Sequence, residues 1–133
     1  MKLSTLMRIN AVVAAVFGIA FVLVPGQIFA LYGAEESSAL KYTGQLFGAA
    51  FVSFAVLTWS ARNAENSEAR RAIVLALFVG NAVGFVLALI GQLGNVVNSL
   101  GWSTVAIYLL LAVGFGYFQF AKTASLETPS FGE

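Results

Sequence analysis

The sequence predicts an all-α, polytopic membrane protein: a bundle of four transmembrane helices with both termini on the cytoplasmic side. Three observations carry this expectation. From Ala72 to Ala121 the chain runs 50 residues without one Lys, Arg, His, Asp or Glu. One crossing takes about 20 apolar residues, so this run fits two, folded at a polar turn near Gly94-Asn95. The composition agrees: 59% hydrophobic, 10% charged and a mean hydropathy of +0.88, against about 25% charged residues in ordinary globular domains. Finally, none of the apolar runs alternates polar and apolar residues as a membrane barrel strand must, which leaves helices as the spanning form.

The elements follow in order. The first span is expected at about residues 5–24, with Arg8 near its start. Its apolar run is long for a signal peptide and continues past Pro25, so it is read as retained. Pro25-Gly26 ends it, because Pro cannot continue a helix and Gly permits a sharp exit. Gln27 to Gly33 is apolar but too short to cross, and reads as an interfacial or re-entrant helical turn stopped by Gly33. The second span is expected at about 40–61. The mixed-charge loop 62–71 follows, in which Ser67 is placed to cap the third helix and Arg70 and Arg71 to sit at the headgroups. The third span is expected at about 72–93 and the fourth at about 100–121, capped by Asn98 or Ser99. Each is about 20 to 22 residues, or about 30 to 33 Å as helix, which matches the hydrocarbon thickness. Residues 1–133 are thus read as a single four-helix transmembrane domain.

Orientation follows from the cations. Lys2, Arg8, Arg62, Arg70, Arg71 and Lys122 fall on one side of a four-span chain and Lys41 alone on the other. Excess Lys and Arg mark the cytoplasmic face. The expected location is the inner (cytoplasmic) membrane, multi-pass.

The absent residues exclude several chemistries. With no His, no Cys and no Asp, the usual ligands of zinc, copper, haem and iron–sulfur clusters are missing, and no metal site or cofactor is assigned. Ser-His and Cys-His nucleophile pairs are impossible within the chain. Glu35, Glu36, Glu65, Glu68, Glu127 and Glu133 all fall in loops or tails, so no carboxylate is buried mid-membrane to couple protons. No catalytic residue is assigned. A net charge of +1 gives no basis for nucleic-acid binding.

Small residues recur at spacing four. Ala72, Ala76, Gly80, Gly84 and Ala88 form a stripe on the third span. Ala14-x-x-x-Gly18, Gly44-x-x-x-Gly48 and Ala112-x-x-x-Gly116 lie on the others. Such faces let helix backbones approach closely in a bilayer. Gly44, Gly48, Ala76, Gly80, Gly84 and Ala88 are the expected packing residues, either within the bundle or at a seam with another subunit. Phe21 to Gln27 resembles Phe85 to Gln92 with one residue inserted, which suits two parallel hairpins.

Aromatic residues are abundant, with 12 Phe, four Tyr and two Trp. Trp59 and Trp102 suit the interfacial belts. Phe17, Phe21, Phe47 and Phe51 are among those that would fill a core or line a pocket. Asn81 falls near mid-depth and needs a partner there, for which Ser53 or Tyr108 are candidates. A polar and aromatic set gathers at the outer end: Tyr42, Gln45, Gln92, Asn95, Asn98, Ser99 and Trp102. From these, Gln45, Asn81, Asn95, Trp102 and Tyr108 are the candidate ligand-binding residues.

Several segments occur in a recognisable order: Leu31-Tyr32-Gly33, Gly44 to Ala50, Trp59 to Arg62, Gly80 to Gly84, and Asn98 to Trp102. In this the chain resembles the small uncharacterised bacterial four-helix membrane proteins grouped near the DoxX-like and DUF4345-type families. The resemblance covers about residues 6–120. It implies a four-helix bundle and brings no activity, substrate or catalytic residue with it. Two functions are expected from the residues. The first is a non-enzymatic protein acting by association, as an accessory subunit of a membrane complex or as a homo-oligomer. The second is binding or transport of a neutral lipophilic molecule (a lipid, quinone or pigment) in an aromatic-lined bundle. The expected partners are the lipid bilayer and other membrane subunits or a second copy.

Overall fold

The structure is a computed structural model that describes residues 1–122, with the Lys122 side chain outside the description. The tail residues Glu127 and Glu133 lie outside the described residues. Five α-helices form: α1 (Leu3–Leu23), α2 (Pro25–Leu31), α3 (Ser38–Ala61), α4 (Glu68–Leu93) and α5 (Gly101–Gly116). No strand is present among the described residues. A π-helical segment, Tyr117–Lys122, continues α5. Four helices are long and apolar enough to cross a membrane: α1, α3, α4 and the joined stretch Gly101–Ala121. The expected spans thus recur with ends moved by a few residues, and the π segment is an addition that the sequence did not signal.

Local chemistry sets the ends. Pro25 stands at the first position of α2, where its missing N–H is no loss. Gly33 closes α2 with φ +75°. Ala34 N donates to Phe29 O (2.9 Å) and Gly33 N to Ala30 O (3.0 Å), the paired bonds of a glycine-terminated helix. α4 ends in the same way with Asn95 at φ 57°. Val96 N donates to Gly91 O and Asn95 N to Gln92 O, and Asn is the residue besides Gly that best tolerates this backbone. Ser67 caps α4 as expected, its Oγ accepting from Arg70 N at 3.2 Å. Ser37 does the same for α3 at Leu40 N. The expected cap of the last helix is different. Leu100 holds the capping position without a side-chain bond, and Asn98 Oδ1 accepts from Leu100 N (3.0 Å) in the preceding turn.

Two antiparallel hairpins build the bundle. α1 packs along α3, and α4 along α5. The α1–α3 seam is a close backbone approach. A Cβ on Gly18 would stand 2.9 Å from both Gly48 O and Val52 N, and one on Gly48 would stand 2.7 Å from Gly18 O. Only hydrogen fits there, so the motifs Ala14-x-x-x-Gly18 and Gly44-x-x-x-Gly48 are a true helix crossing. The hairpins join at the terminal end of the bundle through a core of Leu3, Leu6, Met7, Val74, Leu77, Leu111 and Phe115. Met7 and Phe115 are fully buried there. Alternating helix direction sets Lys2, Arg8, Arg62, Arg70 and Arg71 at this end and Lys41 at the other.

The outward faces are as apolar as the inner ones. Val12, Val16, Ile19 and Leu23 of α1, and Val79, Val83, Leu87 and Ile90 of α4, are all exposed. A helix hydrophobic all round belongs against other apolar matter on every side. Four such helices fit a small membrane protein.

The small-residue stripe of α4 divides between an outward and an inward part. Ala72, Ala76 and Gly80 are exposed, and nothing lies within 4 Å of a Cβ built on Gly80. Gly84 meets the Tyr108 ring, and Ala88 turns inward. The reason is geometric. Four residues advance a helix by about 400°, so each member drifts about 40° from the last. Over five members the row sweeps nearly halfway around α4, and only its far end meets α5.

Candidate functional site: an apolar cavity between the hairpins

Away from the shared core the two hairpins part around a partly open cavity of about 300 Å³. Its floor follows from helix register. On α1, Asn10 stands one turn beyond Leu6 and Met7. On α4, Asn81 stands one turn beyond Leu77. On α5, Tyr108 stands one turn before Leu111. All three line the cavity, so a polar girdle rests directly on the apolar core.

The walls are almost wholly apolar and rich in Phe. Phe21 and Phe47 meet edge to face at 5.4 Å between ring centres, and Phe47 and Phe51 at 4.5 Å. Phe17 reaches Phe51 at 6.5 Å. These are favourable aromatic geometries, and they run as a ladder from α1 to α3. Phe47 remains 45% exposed, so the ladder forms the side of the cavity nearest the surroundings.

The roof is the short helix α2 latched to the α4–α5 loop. Phe29 lies over Gly44, where a Cβ would stand 2.7 Å from its ring, and is 5.5 Å from Phe21. Tyr32 OH and Thr104 Oγ1 share a hydrogen bond of 2.9 Å. Asn98 N donates to Tyr32 O (2.9 Å), and Asn98 Nδ2 donates to Leu31 O (2.8 Å). Gln92 Nε2 donates in turn to Asn98 O at 3.2 Å. One Asn thus ties the first half of the chain to the second.

The candidate residues fall into two groups. Asn81 and Tyr108 line the cavity together. Gln45, Asn95 and Trp102 do not. Gln45 donates to Val22 O at 3.1 Å, bracing α3 on α1. Asn95 is the left-handed residue that ends α4. Trp102 is half exposed on the outside of α5. Of the outer-end polar residues, Asn95 makes the turn, Asn98 and Gln92 the latch, and Gln45 a helix brace. Asn81 also finds a partner other than Ser53 or Tyr108. Its Nδ2 donates to Leu77 O of its own helix at 2.7 Å, while Ser53 bonds back to Ala49 O. A residue four positions back is always within reach on a helix, so no second helix is needed to satisfy that N–H.

Asn10 and Thr58 were not singled out by sequence reasoning. Asn10 Nδ2 donates to Thr58 Oγ1 at 3.4 Å, and Thr58 Oγ1 donates to Phe54 O. Both side chains are buried. The available signal was register: Asn10 continues the inward row of Leu3, Leu6 and Met7 toward Ala14 and Gly18, which makes it a polar residue on a packing face. No group of His, Cys, Asp or Glu that could hold a metal occurs among the described residues.

Four apolar helices enclosing a Phe-lined cavity define a class, a small helical protein of membrane type with an internal apolar chamber. Residues 1–121 match the domain family DUF8292, a domain of unknown function, and the chain belongs to that family. The family matched is this one and not a DoxX-like or DUF4345-type one. Neither the curated proteins nor the solved structures give a match.

Proposed function

We propose that the protein binds a neutral lipophilic molecule between its two helical hairpins, as a multi-pass protein of the cytoplasmic membrane. Its residues 1–133 act as one four-helix domain with both termini inside the cell. The observation that carries the binding reading is the cavity of about 300 Å³ with Phe-lined walls. Ligand sites are concave, largely apolar and equipped with a few polar groups, and this cavity meets each condition. Neutrality follows from its lining, which includes no carboxylate, amine or guanidinium; an unpaired charge at this depth would be costly. Gentle purification followed by solvent extraction and mass spectrometry tests the reading. One compound enriched over the surrounding membrane supports it. Bulk lipid in bulk proportions counts against it.

The second reading is association with another membrane subunit or a second copy, through the uncovered start of the α4 stripe. The open space over Gly80 favours it. Replacing Gly80 with Leu should then reduce the particle mass in mild detergent, and an unchanged mass argues against this seam. Gly84, which faces Tyr108 within the chain, is not a suitable second position for that test.

A further inference from the structure

We infer that the occupant of the cavity is a compact one- or two-ring molecule carrying a single uncharged oxygen, held oxygen-down against Asn10, Asn81 and Tyr108. The inference rests on the binding reading above and narrows its ligand class.

Size sets the first limit. A cavity of ~150 Å³ holds a benzene molecule. At about 300 Å³ this one holds about twice as much, or about 12 non-hydrogen atoms. A two-chain phospholipid cannot be held whole in that volume, whereas a fused pair of rings fits. Shape agrees, because the ladder of Phe21, Phe47 and Phe51 presents ring edges and faces at which a further ring can continue the edge-to-face pattern.

Hydrogen bonding sets the second. Asn10 and Asn81 each use one amide hydrogen, on Thr58 Oγ1 and on Leu77 O. An amide carries two N–H donors and one carbonyl acceptor. Each Asn therefore keeps a donor and its carbonyl without a hydrogen bond among the described residues, and so does the Tyr108 hydroxyl. Asn10 and Asn81 are both more than nine-tenths buried, yet all three residues line the same cavity. Buried polar groups are nearly always paired. Here donors and acceptors fall at one end of a chamber whose other walls are almost wholly apolar, the Tyr32 and Thr104 hydroxyls of the roof being bonded to each other. A hydroxyl can both give and accept a bond at that end, and a ring carbonyl can accept two. A plain hydrocarbon satisfies none of these groups, and a charged head finds no counter-ion.

The test is titration of the full-length protein in mild detergent with 2-naphthol and with naphthalene, corrected for uptake by empty micelles. The two probes differ by one hydroxyl. Saturable one-to-one binding of 2-naphthol, at least tenfold tighter than naphthalene, is expected. Tyr108→Phe removes only the hydroxyl and keeps the ring, and Asn81→Leu keeps the approximate volume. Each should lower the 2-naphthol affinity at least threefold and leave naphthalene unchanged. Equal affinity for both probes overturns the oxygen requirement and leaves the binding reading standing. Preference for 2-naphthol that neither variant alters overturns the assignment to these residues. Absence of saturable binding by either probe overturns both this inference and the reading beneath it.

Discussion

Substituting Gly48 by Ala adds one methyl group, and the α1–α3 crossing has no room for it. The new Cβ would stand 2.7 Å from Gly18 O, 2.9 Å from Phe21 Cβ and 3.0 Å from Val22 Cγ2. The first is backbone and the second is fixed to backbone, so neither can rotate away. Non-bonded carbon atoms settle near 3.5 Å or beyond, so α1 must withdraw by at least about 0.5 Å, and a gap of that size already forfeits about a quarter of each dispersion well along the seam. Overpacking of this kind costs about 1–3 kcal/mol. In water, Ala would recover about 1 kcal/mol through helix propensity. In a bilayer that compensation vanishes, because a separated helix keeps its hydrogen bonds regardless. Gly80→Ala is the matched control, since its Cβ meets nothing within 4 Å and should change stability by no more than about 0.5 kcal/mol. The assay is reversible unfolding in mixed micelles of mild detergent and dodecyl sulfate, followed by ellipticity. Equal midpoints for the two variants would refute the claim that backbone contact at Gly18 and Gly48 holds the first hairpin together.

Asn98→Ala removes the side-chain bonds to Leu31 O and Leu100 N. It should cost about 1–3 kcal/mol and speed hydrogen exchange selectively in α2; uniform exchange across the chain would contradict the latch. Gly84→Ala would place a methyl group against the Tyr108 ring, so it should weaken 2-naphthol binding while Gly80→Ala leaves it unchanged, as titration of both variants will show. The chain has no Cys, so single cysteines at Lys2, Asn66 and Asn95 report topology cleanly. An impermeant thiol reagent on sealed vesicles should label the first two from one side and the third from the opposite side.

The spans were legible because length and charge alone determine them: no Lys, Arg, His, Asp or Glu lies between Ala72 and Ala121, and a bilayer leaves such a run few alternatives. The caps at Ser67 and Gly33 were legible because each rests on a local bond that a short motif encodes. The cavity was not legible. Phe17, Phe47 and Phe51 read first as lipid-facing or core-filling residues, and a pocket between them follows only once the spacing between hairpins is known. The way the α4 stripe splits between an inward and an outward part was not legible, because an inline row on paper becomes a spiral on a helix of 3.6 residues per turn. Asn95 and Gln45 drew attention as polar groups at the outer end; the structure places them outside the cavity, Asn95 ending α4 and Gln45 bracing α3 on α1. Register alone places Asn10 on the packing face of α1, but its partner Thr58 lies far along the chain on another helix, and nothing in the sequence pairs the two.

The division into self-paired hairpins has a consequence for how the molecule can be taken apart. α1 finds its main neighbour in α3, and α4 in α5, so each half carries its own seam before the halves meet. A break in the exposed segment between Asn63 and Ser67 would sever neither seam. Two fragments expressed separately in the same cell should reassemble into the intact bundle. The chamber, which neither fragment can enclose alone, would then serve as the readout of their reunion.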